Sequence, residues 1–228
     1  MIYPVFHPIV DIQEGRVAWY EALARIQGDP TRTHHGPLLS VAEQYGFIQH
    51  VDLSMLSQVI EHVSEFDVPV AINLSAQTVE GAYCSVIQSL EAKPVARGRL
   101  IVEITETTPI RDEGRLLAFK ARLRDSRIRL AIDDFGSGNW TDRLVTLLQP
   151  DIVKVSWRSG AVDAAIVLAR LNGADLVVEY VDSPLILASL RDMGVRYAQG
   201  YLFGKPATIS ELSVISSFFV QEALCASF

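Results

Sequence analysis

Cysteine is scarce. Only Cys84 and Cys225 occur in 228 residues, and they fit neither a zinc-ligand spacing nor a disulfide framework. Each reads as a small buried or helical residue. Long apolar runs are missing as well. None reaches the ~18 residues a membrane span needs, and the apolar stretch 164–178 is broken by Arg170 and Asp175. The opening MIYPVFHPIV lacks the basic start and cleavage site of a secretory leader. Basic runs are absent: 20 Lys+Arg against 27 Asp+Glu leave a net charge of −7. That argues against DNA as a partner, because neutralising a duplex backbone needs clustered cations. A small anionic ligand remains compatible, since a bound metal ion supplies positive charge locally. No Pro/Gly/Ser-rich linker or low-complexity block divides the chain. With 49% hydrophobic residues and 21% charged, the expectation is a soluble, cytoplasmic, single domain over 1–228 with a sizeable core and no membrane association.

What the sequence does have is a recurring short apolar run that ends in a polar residue. The runs are Ala71-Ile72-Asn73, Leu100-Ile101-Val102-Glu103, Leu130-Ala131-Ile132-Asp133, Ile152-Val153-Lys154, Leu176-Val177-Val178-Glu179 and, more weakly, Tyr197-Ala198-Gln199. Their polar ends are 30, 30, 21, 25 and 20 residues apart, room for one helix each. Helical spacing of apolar residues appears over 53–64, 113–124, 162–171 and 184–193, with a closing helix over 209–224. Strands alternating with helices imply mainly parallel βαβ units. Runs apolar at successive positions fit strands buried on both faces. An open doubly wound sheet and a closed barrel both place ligands beyond the carboxyl ends of the strands. Polar residues on nearly every strand end favour a common centre, so the expected fold is α/β, a TIM-like (β/α) barrel.

With Glu21 after Val17-Ala18-Trp19-Tyr20, the strand-end set is Glu21, Asn73, Glu103, Asp133, Asp134, Lys154, Glu179 and Gln199. Taken singly, each is an ordinary helix cap or loop residue. Together they bring five carboxylates, amide oxygens and no thiolate, the donors of a hard cation such as Mg²⁺ or Mn²⁺. So many carboxylates at one mouth repel unless cations lie between them. Adjacent Asp133 and Asp134 suit a site for two ions, of the kind that activates water in phosphoryl displacement. Lys154 could orient that water or offset phosphate charge.

The same residues carry a family resemblance. Glu21-Ala22-Leu23-Ala24-Arg25 resembles the motif that names the EAL-domain family of cyclic di-GMP phosphodiesterases. It is joined in order by Phe6-His7-Pro8-Ile9-Val10, Ile72-Asn73-Leu74-Ser75, Glu103-Ile104-Thr105-Glu106, Asp133-Asp134-Phe135-Gly136-Ser137-Gly138, Val153-Lys154-Val155, Val178-Glu179-Tyr180-Val181-Asp182 and Gln199-Gly200-Tyr201-Leu202-Phe203-Gly204-Lys205-Pro206. The resemblance implies a barrel that hydrolyses cyclic di-GMP to linear pGpG with two Mg²⁺ or Mn²⁺ ions. Glu21, Asn73, Glu103 and Asp133 would hold one ion; Asp133, Asp134 and Glu179 would hold the other. Lys154, Glu179 and Gln199 would serve catalysis, Lys154 and Gln199 around the attacking water. Arg25, His7 and Leu23 would face the nucleotide, Arg25 at a phosphate. Glu106 would anchor the loop after Asp133-Asp134. A homodimer is implied by the resemblance alone. With no sensor or cyclase domain in the sequence, control is expected from expression, self-association or a regulatory protein partner.

Several positions depart from the family pattern. His7 stands where Gln is usual, and Gly138-Asn139-Trp140-Thr141-Asp142 replaces the usual Gly-Tyr-Ser-Ser loop. Ser156 replaces an aspartate two residues after the lysine, on the same strand face. Tyr180 replaces glycine, and Asp182 replaces glutamate. None removes a residue matched to a direct metal ligand, so the expectation is a slowed enzyme, with a cyclic di-GMP receptor or protein-interaction module as the alternative. Trp140 could stack on a base, anchor a partner, or pack locally. His34 and His35 read as solvated loop residues. The stripe Leu212, Ile215, Phe218, Phe219 and Leu224 reads as core docking.

Overall fold

The computed structural model describes residues 1–28, 36–93, 98–105, 109–136 and 140–215. Among these, eight strands close into a barrel: β1 (Ile2–Asp11), β2 (Arg16–Ile26), β3 (Val70–Ser75), β4 (Leu100–Thr105), β5 (Arg129–Ile132), β6 (Ile152–Ser156), β7 (Asp175–Glu179) and β8 (Tyr197–Gln199). Strands β2 through β8 run parallel to one another. β1 is antiparallel to both β2 and β8. The six apolar runs and the segment before Glu21 correspond to β3 through β8 and β2; β1, the strand that runs backwards, is not among them.

Pro4 and Pro8 explain the miss, since proline normally demotes a strand. Phe6 donates its N–H to the Ala207 carbonyl at 2.7 Å and accepts from the Ala207 N–H at 3.0 Å. Backbone polar groups alternate sides along a strand, so the nitrogens of Pro4 and Pro8 face that same side. β8 pairs only with Ile9, Val10 and Asp11, and no ladder hydrogen bond is lost at either proline.

The helices are α1 (Gly36–Gln44), α2 (Ile48–His62), α3 (Ala76–Gly81), α4 (Tyr83–Ala92), α5 (Glu113–Asp125), α6 (Asp142–Leu148), α7 (Val162–Asn172), α8 (Pro184–Asp192) and α9 (Ile209–Ile215). The expected helices correspond to α2, α5, α7, α8 and the start of α9; residues 216–224 lie outside the described residues. Side-chain caps start several of them as the sequence prescribes. Asp112 accepts from Arg115 N–H, Thr141 from Leu144 N–H, and Ser183 from Ile186 N–H ahead of Pro184. Cys84 is helical, in α4, and exposed.

Both faces of the strands are buried, which is why their runs are continuously apolar. Outward residues such as Ile72, Val102, Ile132, Val153 and Val178 pack with Leu56 and Val59 of α2, Phe119 of α5, Leu168 of α7 and Leu187 of α8. Inward residues form a separate cluster of Ile9, Trp19, Ala71, Ile101, Ala131, Ile152 and Val177, one from each of seven strands. Tyr197 of β8 completes it, its ring 4.9 Å from that of Trp19. This layer plugs the barrel beneath the mouth.

Candidate metal centre at the barrel mouth

Side chains on a strand return to the same face every second residue. Two residues beyond the plug, the inward positions are Glu21, Asn73, Glu103, Asp133, Lys154, Glu179 and Gln199. β1 runs the other way, so its matching residue is His7, two before Ile9. The register sets His7 beside Glu21 and Asn73 beside Glu103. One turn of the pleat separates an apolar floor from a ring of titratable groups.

Lys154 stands at the centre of that ring. Its Nζ is 2.8 Å from Glu103 Oε2, 3.1 Å from Glu179 Oε1, 3.2 Å from Glu21 Oε2 and 3.2 Å from Asp133 Oδ1. Lys154 and Glu103 are fully buried below the pocket surface. Burial opposes the ammonium, but the four carboxylates outweigh it and raise its pKa well above the ordinary value. Burial also works to raise Glu21; Lys154 and hydrogen bonds from Asn73 and Gln199 prevail and hold Glu21 below the usual range. Glu103 goes the other way. Burial, with Glu21 and Asp133 adding repulsion, pushes it up to about 8 despite Lys154. Burial likewise raises Glu179 well above a normal carboxylate. Burial is the main cause of both raised values, and repulsion among the carboxylates, which one ammonium does not balance, adds to it.

The donors fit a hard cation. Glu21, Glu103 and Asp133 form one group of converging carboxylates, and Asp133, Asp134 and Glu179 a second, each with ligand oxygens within 4.8 Å of one another. Asp133 belongs to both. Asn73 donates through Nδ2 to Glu21 Oε1 at 2.7 Å, which leaves its Oδ1 buried and without a partner among the described residues. Glu103 Oε1 and Gln199 Oε1 are in the same condition. Buried oxygens are seldom left so, and oxygen-only donors suit Mg²⁺ or Mn²⁺.

His7 and Gln199 brace the ring from β1 and β8. The Gly204 carbonyl can only accept, so His7 Nε2 at 3.1 Å carries the proton. His7 Nδ1 then accepts from Gln199 Nε2 at 3.0 Å, and the same amide donates to Glu21 Oε2 at 2.8 Å. Burial keeps the imidazole neutral, lowering its pKa to about 4. Gly200 is required beside this pair: a Cβ there would lie 2.2 Å from the Val181 carbonyl oxygen. Any side chain would push the β7–α8 connection away from Gln199.

A cavity of about 400 Å³ opens above the ring, lined by His7, Glu21, Leu23, Arg25, Asn73, Asp133, Asp134, Glu179 and Gln199 among others. Glu21, Leu23 and Arg25 alternate along β2 and so share its inward face. Glu106 lies outside the described residues, as do His34 and His35. Trp140 is buried in the core cluster against the barrel wall, so of its three readings local packing holds and base stacking or partner anchoring does not. Sequence reasoning missed Asp52. Buried in α2, it accepts from the Ser75 N–H at 2.8 Å and the Thr78 hydroxyl at 2.6 Å, fixing the β3–α3 turn two residues past Asn73. An acid inside the apolar pattern of α2 was the available signal.

These features have counterparts in known proteins. The family model described as "EAL domain" matches residues 1–206. This chain belongs to the EAL-domain family. The EAL domain is 27% identical over 220 residues to the cyclic di-GMP phosphodiesterase PdeF of Escherichia coli strain K12, covering 86% of this chain and 30% of that protein. The chain thus spans less than a third of that relative's length. Among solved structures, it superposes on the PaMucR phosphodiesterase in complex with c-di-GMP with a TM-score of 0.81 and 25% identity, over 92% of this chain and 94% of that one. It also superposes on BlrP1 of Klebsiella pneumoniae, solved as a manganese/cyclic-diGMP complex, with a TM-score of 0.71 and 26% identity, over 91% and 60% of the two chains. Among the described residues, no helix is long and apolar enough to cross a membrane.

Proposed function

We propose that this EAL domain is a phosphodiesterase that hydrolyses cyclic di-GMP to linear pGpG with two divalent cations, Mg²⁺ or Mn²⁺. The observation that carries the reading is the pair of carboxylate groups sharing Asp133 beneath a pocket that also presents Arg25. Glu21, Asn73, Glu103 and Asp133 would hold one ion, and Asp133, Asp134 and Glu179 the other. Bound there, divalent ions supply Lewis acidity to a phosphodiester and lower the pKa of water. The chain's own groups do the rest. Arg25, on the inward face of β2, offers its guanidinium to a phosphate. Gln199, fixed by His7 and Glu21, holds a buried Oε1 ready to accept a hydrogen bond from water. Lys154 keeps a permanent positive charge under the ring, where it offsets carboxylate repulsion and charge developing on phosphate. The plug around Trp19 closes the far end, so water reaches the site only through the mouth.

The test is incubation of purified protein with cyclic di-GMP and Mn²⁺ or Mg²⁺, with pGpG followed by chromatography and Glu21→Ala as control. Metal-dependent turnover lost in the control supports the enzyme. Binding without turnover would instead make the domain a receptor. We extend the reading, on family resemblance, to a cytoplasmic homodimer answering to a regulatory protein; light scattering and co-purification test those two associations.

A further inference from the structure

Three separate departures from the family pattern converge on one residue, two of them on its side chain and one on its backbone. Ser156, Tyr180 and Asp182 lie on two different strand ends, yet all three touch Arg158. Ser156 Oγ accepts from the Arg158 N–H at 3.1 Å and fixes the turn that carries it. Asp182 Oδ2 accepts from Arg158 Nη2 at 2.7 Å, while its Oδ1 accepts from Tyr201 N–H at 3.3 Å. The Arg158 guanidinium lies over the Tyr180 ring, 4.5 Å from its centroid. Arg158, Tyr180 and Asp182 all line the cavity above the carboxylate ring.

Tyr180 also occupies a costly conformation. Its φ is +61°, the left-handed region that disfavours any residue with a Cβ. Of the other non-glycine residues with positive φ, Arg127 and Gln149 follow the ends of α5 and α6, where this geometry ends a helix, and Asp134 belongs to the carboxylate ring. Tyr180 follows a strand and closes no helix. Strain of this kind collects at ligand sites, and the residue is 42% exposed at the edge of the pocket.

We propose that Arg158 and Tyr180 form a stacking platform for a purine base of the bound nucleotide, a role that rests on the nucleotide reading above. Asp182 already matches the Arg158 charge, so the pair offers a flat, charge-compensated surface rather than a phosphate clamp. Planar guanidinium and phenol faces both stack on bases. The carboxylate ring receives the phosphodiester, and the platform beside it fixes where the base lies.

The experiment is calorimetric binding of cyclic di-GMP in Ca²⁺ buffer to wild type, Tyr180→Gly and Tyr180→Phe, with a parallel Mn²⁺ titration without nucleotide. Glycine accepts φ +61° freely, so Tyr180→Gly keeps the fold, and phenylalanine keeps the ring. The expected result is nucleotide affinity about tenfold weaker in Tyr180→Gly, within about twofold of wild type in Tyr180→Phe, and equal Mn²⁺ affinity in all three. Unchanged nucleotide affinity in Tyr180→Gly overturns the platform and leaves the nucleotide reading standing. A parallel fall in Mn²⁺ affinity overturns it by assigning Tyr180 to the metal centre. Failure of wild type to bind cyclic di-GMP rejects the nucleotide reading and the platform with it.

Discussion

The barrel interior holds two layers that sit two residues apart on the same strands and share almost no chemistry. The lower is Ile9, Trp19, Ala71, Ile101, Ala131, Ile152 and Val177, buried and apolar but for the Trp19 indole N–H. The upper substitutes His7, Glu21, Asn73, Glu103, Asp133, Lys154 and Glu179 at the next inward position of each strand. The lower layer gains from burial, at ~25 cal/mol per Å² of apolar surface removed from water. The upper layer carries the cost of burying charge: burial, with repulsion from Glu21 and Asp133, raises Glu103 to about 8 beside a Lys154 that meets four carboxylates. Stability and function are thus written in alternate positions of one strand set, with the floor holding the strand ends close enough for the acids to converge.

Substitutions should separate the layers. The largest effect is expected from Glu21→Ala, which removes a carboxylate from the ring and should take cyclic di-GMP turnover below detection while the circular dichroism spectrum stays folded. Lys154→Met should act on both properties. It leaves buried carboxylates without their cation, a loss of about 3–5 kcal/mol in denaturant titration in metal-free buffer, and Mn²⁺ should restore part of it. Trp19→Ala opens a hole in the floor and should cost about 3–5 kcal/mol, with turnover per folded molecule retained because no upper-layer group is touched. A Trp19→Ala protein of normal stability would break the comparison.

The smallest effect concerns pH. Burial raises the Asp52 carboxyl to about 6 despite its hydrogen bonds to Thr78 and Ser75, so the folded chain keeps a proton that the unfolded chain has released. Its contribution to stability is full below about pH 4 and is lost as pH rises through about 6. Asp52→Asn should remove that decline, a difference of about 2–3 kcal/mol between pH 4 and pH 7, read by comparing urea midpoints of the two proteins.

Much of this arrangement is legible in the sequence, because the continuously apolar run of a parallel strand buried on both faces is interrupted at its first polar residue. Asn73, Glu103, Asp133, Lys154 and Glu179 stand out for that reason. β1 does not, since Pro4 and Pro8 read as breakers until the side their nitrogens face is known. The short helices α3 and α4 hide behind Ser75, which reads as the end of a strand motif and also caps α3. The setting of Lys154 is invisible in one dimension: its four carboxylate partners come from four other strands. The sequence leaves Trp140 open to stacking, anchoring or packing, and the fold makes it part of the core. Ser156 neighbours Arg158 in the chain, but only three dimensions bring Tyr180 and Asp182 to the same arginine.

The proposed function has the upper layer hold two cations through a shared Asp133. Equilibrium dialysis of purified protein against Mn²⁺, counting ions per chain for wild type and Asp133→Asn, tests it most directly. Two ions per chain are expected in wild type, with binding of both weakened in the variant. Binding of no ion, or two ions held equally well by Asp133→Asn, would contradict it.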